Sequence, residues 1–266
     1  MITNNNYVFI IDLDGTIIGD CVYQSEIYKI SLILNKLKIK IKINDILDEF
    51  YNDKSKLMRP HFFHFMETMK KIYSSCYFYI YTASEKKWAE KEIGIIEKNF
   101  NIKFNRPIFT RSDCIQEIIN NKPVYKKSIE AIKKKIKIKD AEIIIIDDND
   151  VYIDNTDKLI KCKIYNYKYF CNYWEYIPMT KIKNKVFINY LSTLIQNERL
   201  NPSYNKTNMK QMMDYYKWLY EKCYTINKNN KKYKQDNFWL SLTKIIVNNK
   251  IKIYNSTTIK FIQDFL

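Results

Sequence analysis

Tyr7-Val8-Phe9-Ile10-Ile11-Asp12-Leu13-Asp14-Gly15-Thr16 is the stretch whose reading decides the fold. An unbroken apolar run of this length suits a β-strand buried on both faces, as strands of a parallel sheet are. Asp12 and Asp14 follow at once, so two carboxylates emerge from the strand's carboxyl end. In an open α/β sheet, ligands gather outside the carboxyl ends of the strands, which would turn these acids toward a crevice rather than the core. Alternate residues of an extended segment point the same way, so both acids can address one phosphate or metal. Gly15 permits a tight turn, and Thr16 can satisfy loop backbone groups. The plain competitor is a polar strand end followed by an ordinary turn.

Working outward, Cys76 to Tyr81 is a second short aromatic strand that ends at Thr82-Ala83-Ser84. Ala141 to Ile146, with its run of isoleucines, is a third, and Asp147-Asp148 stand at its carboxyl end. Between them the spacing predicts helices over Ser25 to Leu37, Phe62 to Ile72, Ser84 to Asn99 and Tyr125 to Lys135. Pro60 falls near the first turn of the second of these, where a missing N–H is harmless. Ile108 to Thr110 and Leu159 to Ile164 read as further strands, while Lys38 to Asn44 fits either state. Strands alternating with helices imply right-handed βαβ units and an α/β fold with a doubly wound parallel sheet. Beyond Pro178 the pattern turns helical, with apolar stripes at Met209, Met212, Met213, Tyr216, Leu219, Tyr220 and Cys223, and again at Phe238, Leu240, Leu242, Ile245 and Ile246. The expected organisation is therefore one α/β domain over residues 1–178 and an appended α-helical region over 179–266, which would dock on that domain or bind a partner.

The chain has 266 residues, 46% hydrophobic and 28% charged, a balance that suits a packed core rather than disorder. Its 6 cysteines form no CxxC pair, and a chain with this much apolar material needs no disulfide staples, so they are read as reduced thiols. No apolar run is long enough to span a membrane, and Met1 to Asn6 lack the regions of a signal peptide. The expectation is an intracellular, soluble protein with no membrane partner. The net charge of +16 would concentrate anionic partners. Abundant Lys, Ile and Asn beside only 3 glycines also fit an AT-rich genome, so charge alone is weak support for nucleic acid.

Parallel strands would bring Asp12, Asp14, Thr82, Asp147 and Asp148 to one edge. Phosphomonoester hydrolysis needs a nucleophile, a counter-charge for the phosphoryl oxygens and a proton donor for the leaving oxygen, and these groups can fill such roles. Carboxylates converging without a cation would repel one another, whereas Mg²⁺ accepts an oxygen shell from a few carboxylates, a carbonyl and waters, so bound Mg²⁺ is implied.

The arrangement resembles the haloacid dehalogenase (HAD) phosphatase superfamily and, within it, the FCP/SCP family of RNA polymerase II carboxyl-terminal-domain phosphatases. Arg59-Pro60 followed by His61-Phe62-Phe63-His64-Phe65 is similar to the family's RPG-x-x-x-F segment, with His61 where glycine is usual. Thr82-Ala83-Ser84 with Trp88-Ala89 resembles TAS…YA, Thr110-Arg111-Ser112-Asp113-Cys114 resembles the FRESC-like stretch, and Ile146 to Tyr152 resembles IDDR-x-DVW. The ordered set spans roughly residues 7 to 172 and is far more specific than one motif.

The resemblance implies a HAD-like fold and a phosphatase. Asp12 would attack phosphorus to form an aspartyl-phosphate, and Asp14 would protonate the leaving serine oxygen and later activate water. Thr82 would hydrogen-bond a phosphoryl oxygen, Lys127 would neutralise the developing charge, and Arg111 would orient the phosphate or phosphopeptide. Lys126 is the rival for the lysine. Mg²⁺ would bind Asp12, the carbonyl of Asp14, and Asp148, with Asp147 joining directly or through water. The implied partner is a phosphoprotein substrate, with the RNA polymerase tail as one candidate. Plain competitors are a helix-capping hydroxyl for Thr82, a solvated lysine for Lys127 and a surface ion pair for Arg111. His61 and His64 lack a third ligand and make a poor metal pair. Gly15 departs from the family, whose members often carry a larger polar residue there, and residues 20–56 read as more helical than the family's strand-rich insertion. Two alternatives stay open: a HAD phosphatase for small molecules or polynucleotide ends, and a slow or inactive scaffold that binds phosphoproteins.

Overall fold

The computed structural model describes residues 6–19, 57–138, 140–165, 167 and 236–266. All of them belong to one compact unit assembled from three stretches of chain, 1–20, 56–167 and 235–266. The elements are β1 (Asn6–Ile11), α1 (Phe62–Ile72), β2 (Ser75–Ile80), α2 (Lys86–Phe100), β3 (Ile115–Ile119), β4 (Lys122–Lys126), α3 (Ile129–Lys133), β5 (Ala141–Asp147), β6 (Leu159–Lys161), α4 (Phe238–Asn248) and α5 (Ser256–Phe265). Four strands form a wholly parallel sheet in the order β2-β1-β5-β6, the α/β architecture expected. Its two central strands are the apolar runs that announced it.

The period-2 alternation of the strands feeds two cores. Val8 and Ile10 point with Tyr79, Tyr81, Ile143 and Ile145 into a cluster closed by Ile129 and Ile132 of α3. Phe9 turns the other way, stacks on Phe78 and meets Phe65 of α1 edge-on, with ring centroids 5.2 and 5.5 Å away. Full burial of such a phenylalanine contributes roughly 1.5–3 kcal/mol. Trp239 of α4 wedges between Phe62 and Phe65, 4.9 Å from each ring. Tyr254, in the connection to α5, donates to the Tyr73 hydroxyl at 2.6 Å, and Gln263 of α5 pairs with both backbone groups of Lys161 at 2.9 Å. Residues 236–266 are thus built into the same unit as the sheet. The boundary expected at 178 lies outside the described residues, as do Ser25 to Leu37, Lys38 to Asn44 and the stripe from Met209 to Cys223.

Several elements differ from the sequence reading. Tyr125 and Lys126 belong to β4, not to a helix, and α3 begins only after Ser128, whose hydroxyl accepts from the Ala131 amide at 3.1 Å. The cause is a β3–β4 hairpin whose turn residues, Asn120 and Asn121, both sit in the left-handed region (φ 51° and 58°), where asparagine is among the few tolerated side chains. Ile108 to Thr110 contributes a single bridge, Phe109 to Tyr81, rather than a strand. β6 stops at Lys161, short of Ile164. α5 lies within the region 179–266 read as helical, although no apolar stripe singled it out; Asn255 caps it by accepting from the Thr258 amide at 2.9 Å. α1 has the bounds expected, and His61, its N-cap, lies at φ 66°, which explains why glycine would suit that place.

Candidate active site

The parallel register sets the site. Ile11 lies opposite Ile80 on one side and Ile146 on the other. The next residue continues the ladder, with the Asp12 amide donating to the Ile146 carbonyl at 3.0 Å, so Asp12 comes level with Asp147. Asp12, Asp147 and Asp148 are all buried, and each offers a carboxylate oxygen such that the three atoms lie within 4.8 Å of one another. Burial raises the Asp12 carboxyl well above its ordinary range; Lys127 opposes this, while Asp147 and Asp14 add to it by repulsion. Burial likewise raises Asp148, with Asp147 adding and the Thr16 hydroxyl opposing.

Lys127 enters from the foot of the β3–β4 hairpin. A parallel bridge to Tyr152 clamps its backbone: its amide donates to the Val151 carbonyl at 2.9 Å, and its carbonyl accepts from Ile153 at 3.0 Å. The side chain is buried, and its Nζ donates to Asp12 Oδ1 at 2.6 Å and to Asp147 Oδ2 at 2.7 Å. The faces of Tyr81 and Tyr152 flank the ammonium at 5.5 and 5.7 Å. Burial works against this charge, but Asp12, with Tyr152 and Asp147, outweighs it and holds the ammonium above its usual range. Lys126, by contrast, ends β4 opposite Ile115 and is only half-buried.

Asp14 is held apart from the trio. Its Oδ2 accepts from Ser84 Oγ at 2.7 Å and from Thr82 Oγ1 at 3.3 Å, while Thr82 Oγ1 accepts from the Ser84 amide at 3.1 Å. Thr16 ties the first loop to the last: its Oγ1 accepts from the Asp148 amide at 3.0 Å and donates to Asp148 Oδ1 at 3.3 Å. Gly15, at φ +83°, packs so closely that a Cβ there would stand 3.0 Å from Asp148 Cγ and Oδ2. A side chain there would sit on a left-handed backbone and press on the Asp148 carboxyl. Arg111 sits at the rim, where its Nε donates to the Ala83 carbonyl at 2.8 Å and its guanidinium lies 4.9 Å over the Tyr125 ring. The structure thus brings together Asp12, Lys127, Asp147 and Asp148, with Asp14 and Thr82 hydrogen-bonded beside them. Sequence reasoning gave no role to Ser84, whose signal was its place in the Thr82-Ala83-Ser84 stretch, or to the Thr16–Asp148 pairing.

The donor set fits a hard divalent cation. Three buried carboxylates against one ammonium leave negative charge uncompensated, and no thiol or imidazole shares in the trio.

Residues 7–175 match the family described as NLI interacting factor-like phosphatase. Among solved structures, one described as Fcp1, an essential RNA polymerase II CTD phosphatase, is 16% identical, with 96% of this chain and 70% of that chain covered and a TM-score of 0.37. Another, the fission yeast RNA polymerase II CTD phosphatase Fcp1 bound to beryllium fluoride, is 14% identical over the same shares, also at a TM-score of 0.37. No curated protein matches the chain. Among the described residues no helix is long and apolar enough to cross a membrane. With the family match covering well over half of its length, the chain belongs to the NLI interacting factor-like phosphatases, the FCP/SCP family that its strand-end motifs resembled.

Proposed function

We propose that this chain is a Mg²⁺-dependent protein phosphatase that removes phosphate from serine through an aspartyl-phosphate on Asp12. The observation that carries the reading is the convergence of Asp12, Asp147 and Asp148 within 4.8 Å beside the Lys127 ammonium. Asp12, the carbonyl of Asp14, Asp147 and Asp148 would hold the Mg²⁺, which when bound supplies positive charge to the phosphoryl oxygens and orients them.

An oxygen of Asp12 attacks phosphorus as the bond to the serine oxygen breaks, and that oxygen leaves with a proton from Asp14. Water then attacks phosphorus, gives its proton to Asp14 and frees Asp12 and inorganic phosphate. Asp14 serves both half-reactions because the Ser84 and Thr82 hydroxyls hold its carboxylate at the site's edge. Lys127 neutralises charge on the phosphoryl group, and because it already touches Asp12 it also opposes the upward push that burial gives the nucleophile's carboxyl. Thr82 donates to a phosphoryl oxygen once substrate displaces its contact with Asp14. Arg111, stacked at the rim, orients the phosphate or the flanking peptide.

The substrate class is a phosphoserine protein, and the RNA polymerase tail is the candidate that the family resemblance supplies. Competition against hydrolysis of an aryl phosphate tests the class. Phosphoserine peptides are expected to inhibit at lower concentration than phosphorylated nucleotides or oligonucleotides bearing a terminal phosphate. The reverse order would assign the site to small-molecule or polynucleotide phosphates.

A further inference from the structure

A buried chain of hydrogen bonds links the carboxyl-terminal segment to the acidic trio. Asp236 accepts from Arg59 Nε at 2.9 Å and from Arg59 Nη2 at 3.0 Å, a forked pair that fixes the guanidinium plane. The Phe238 ring lies 4.6 Å from that guanidinium. The remaining arm, Arg59 Nη1, donates to Cys162 Sγ at 3.3 Å. Cys162 Sγ lies 3.6 Å from Thr16 Oγ1, the hydroxyl that bonds Asp148.

From Arg59 to Asp148 the donors run in one direction. Arginine can only donate, so the sulfur accepts from it. The single hydroxyl hydrogen of Thr16 goes to the Asp148 carboxylate, which leaves the Cys162 S–H to donate to Thr16. Every link lies in the buried or part-buried interior, and 177 residues separate Arg59 from Asp236. Asp236 lies outside residues 7–175, the span of the family match.

We propose that Asp236 is a positioning residue for Asp148: by fixing Arg59 it aims Nη1 at Cys162, and through Cys162 and Thr16 it holds the Asp148 carboxylate in the orientation that binds a divalent cation. The proposal rests on the reading of Asp148 as a metal ligand. Outer-shell partners of metal ligands typically change affinity by about 10–100-fold when removed. Asp236 acts through intermediates, so a smaller effect of about threefold or more is expected.

The test titrates the full chain with Mn²⁺ alone and follows free Mn²⁺ by electron paramagnetic resonance. Asp236→Asn should weaken Mn²⁺ binding about threefold or more, and Asp236→Glu should recover part of it. Tyr254→Phe, which removes the hydroxyl contact with Tyr73 from the same segment, should leave Mn²⁺ affinity unchanged. Cys162→Ala interrupts the chain while keeping the Arg59–Asp236 pair, and it should weaken Mn²⁺ binding as well; it decides the matter should Asp236→Asn fail to fold. Wild-type affinity in Cys162→Ala or in folded Asp236→Asn would overturn the proposal, as would an equal loss in Tyr254→Phe. If Asp148→Asn binds Mn²⁺ as well as the wild type, the metal reading itself fails rather than this extension of it.

Discussion

Lys127 Nζ lies 2.6 Å from Asp12 Oδ1, although 115 residues separate the two in sequence. The side chains are 2% and 7% exposed, so the contact is shielded from solvent, and Lys127 also serves Asp147. Removing one partner of a buried pair leaves an uncompensated charge, which typically costs about 3–5 kcal/mol. Lys127→Met is therefore expected to lower stability by an amount of that order and to reduce turnover by about 100-fold or more. Lys126→Met, at a half-buried position, should change stability by less than about 1 kcal/mol and keep most activity. Denaturant unfolding and steady-state rates on an aryl phosphate check both. Equal losses in the two variants would contradict the assignment of Lys127.

Gly15 makes a second expectation specific to this chain. A methyl group there would stand 3.0 Å from the Asp148 carboxyl, on a backbone at φ +83°. Gly15→Ala should cost about 1–2 kcal/mol for the left-handed backbone alone and raise the Mg²⁺ concentration needed for half-maximal activity. Gly15→Asn tolerates the backbone better but keeps the Cβ, so it should recover stability without recovering the Mg²⁺ response. An unchanged Mg²⁺ requirement in Gly15→Ala would show that the close approach is inconsequential.

Glu92 supplies the pH dependence. It lies on α2, is 0% exposed, and neither carboxyl oxygen has a hydrogen-bond partner among the described residues. Burial first, and repulsion from Asp14 second, raise its pKa well above the usual carboxyl range. A carboxyl raised in the folded state binds its proton more tightly there than in the unfolded chain. Its contribution is therefore fully present below the unfolded value and lost as pH rises toward the folded one. Glu92→Leu should remove this loss, with a gain of about 1–3 kcal/mol at pH near 8 that shrinks at pH near 5. Unfolding midpoints at the two pH values check it, and a gain independent of pH would contradict the account.

The strands and the acids at their ends were legible because both are local. A five-residue apolar run reports burial on two faces, and the carboxylates beside it report which end is open. The β3–β4 hairpin was not legible, because Tyr125, Lys126 and the following apolar residues mimic a helical period, and the deciding signal lay upstream in Asn120-Asn121. That turn also places the two candidate lysines differently, since β4 ends at Lys126 and the next residue, Lys127, bridges to Tyr152 and reaches Asp12. The Arg59–Asp236 pair left no sequence signal at all: two charged residues 177 apart are indistinguishable from solvated ones until the fold buries them together. Gly15 read as a departure in the sequence, and its reason became visible only with the Asp148 carboxyl packed against it.

Metal-dependent turnover of an aryl phosphate by the wild type and by Asp12→Asn is the most direct measurement of the central claim. The account predicts hydrolysis by the wild type only when Mg²⁺ is supplied, and loss of that hydrolysis in Asp12→Asn with the fold intact by circular dichroism. Undiminished turnover by Asp12→Asn would contradict the assignment of Asp12 as nucleophile, and wild-type hydrolysis unaffected by removal of divalent cations would contradict the metal site built from Asp12, Asp147 and Asp148.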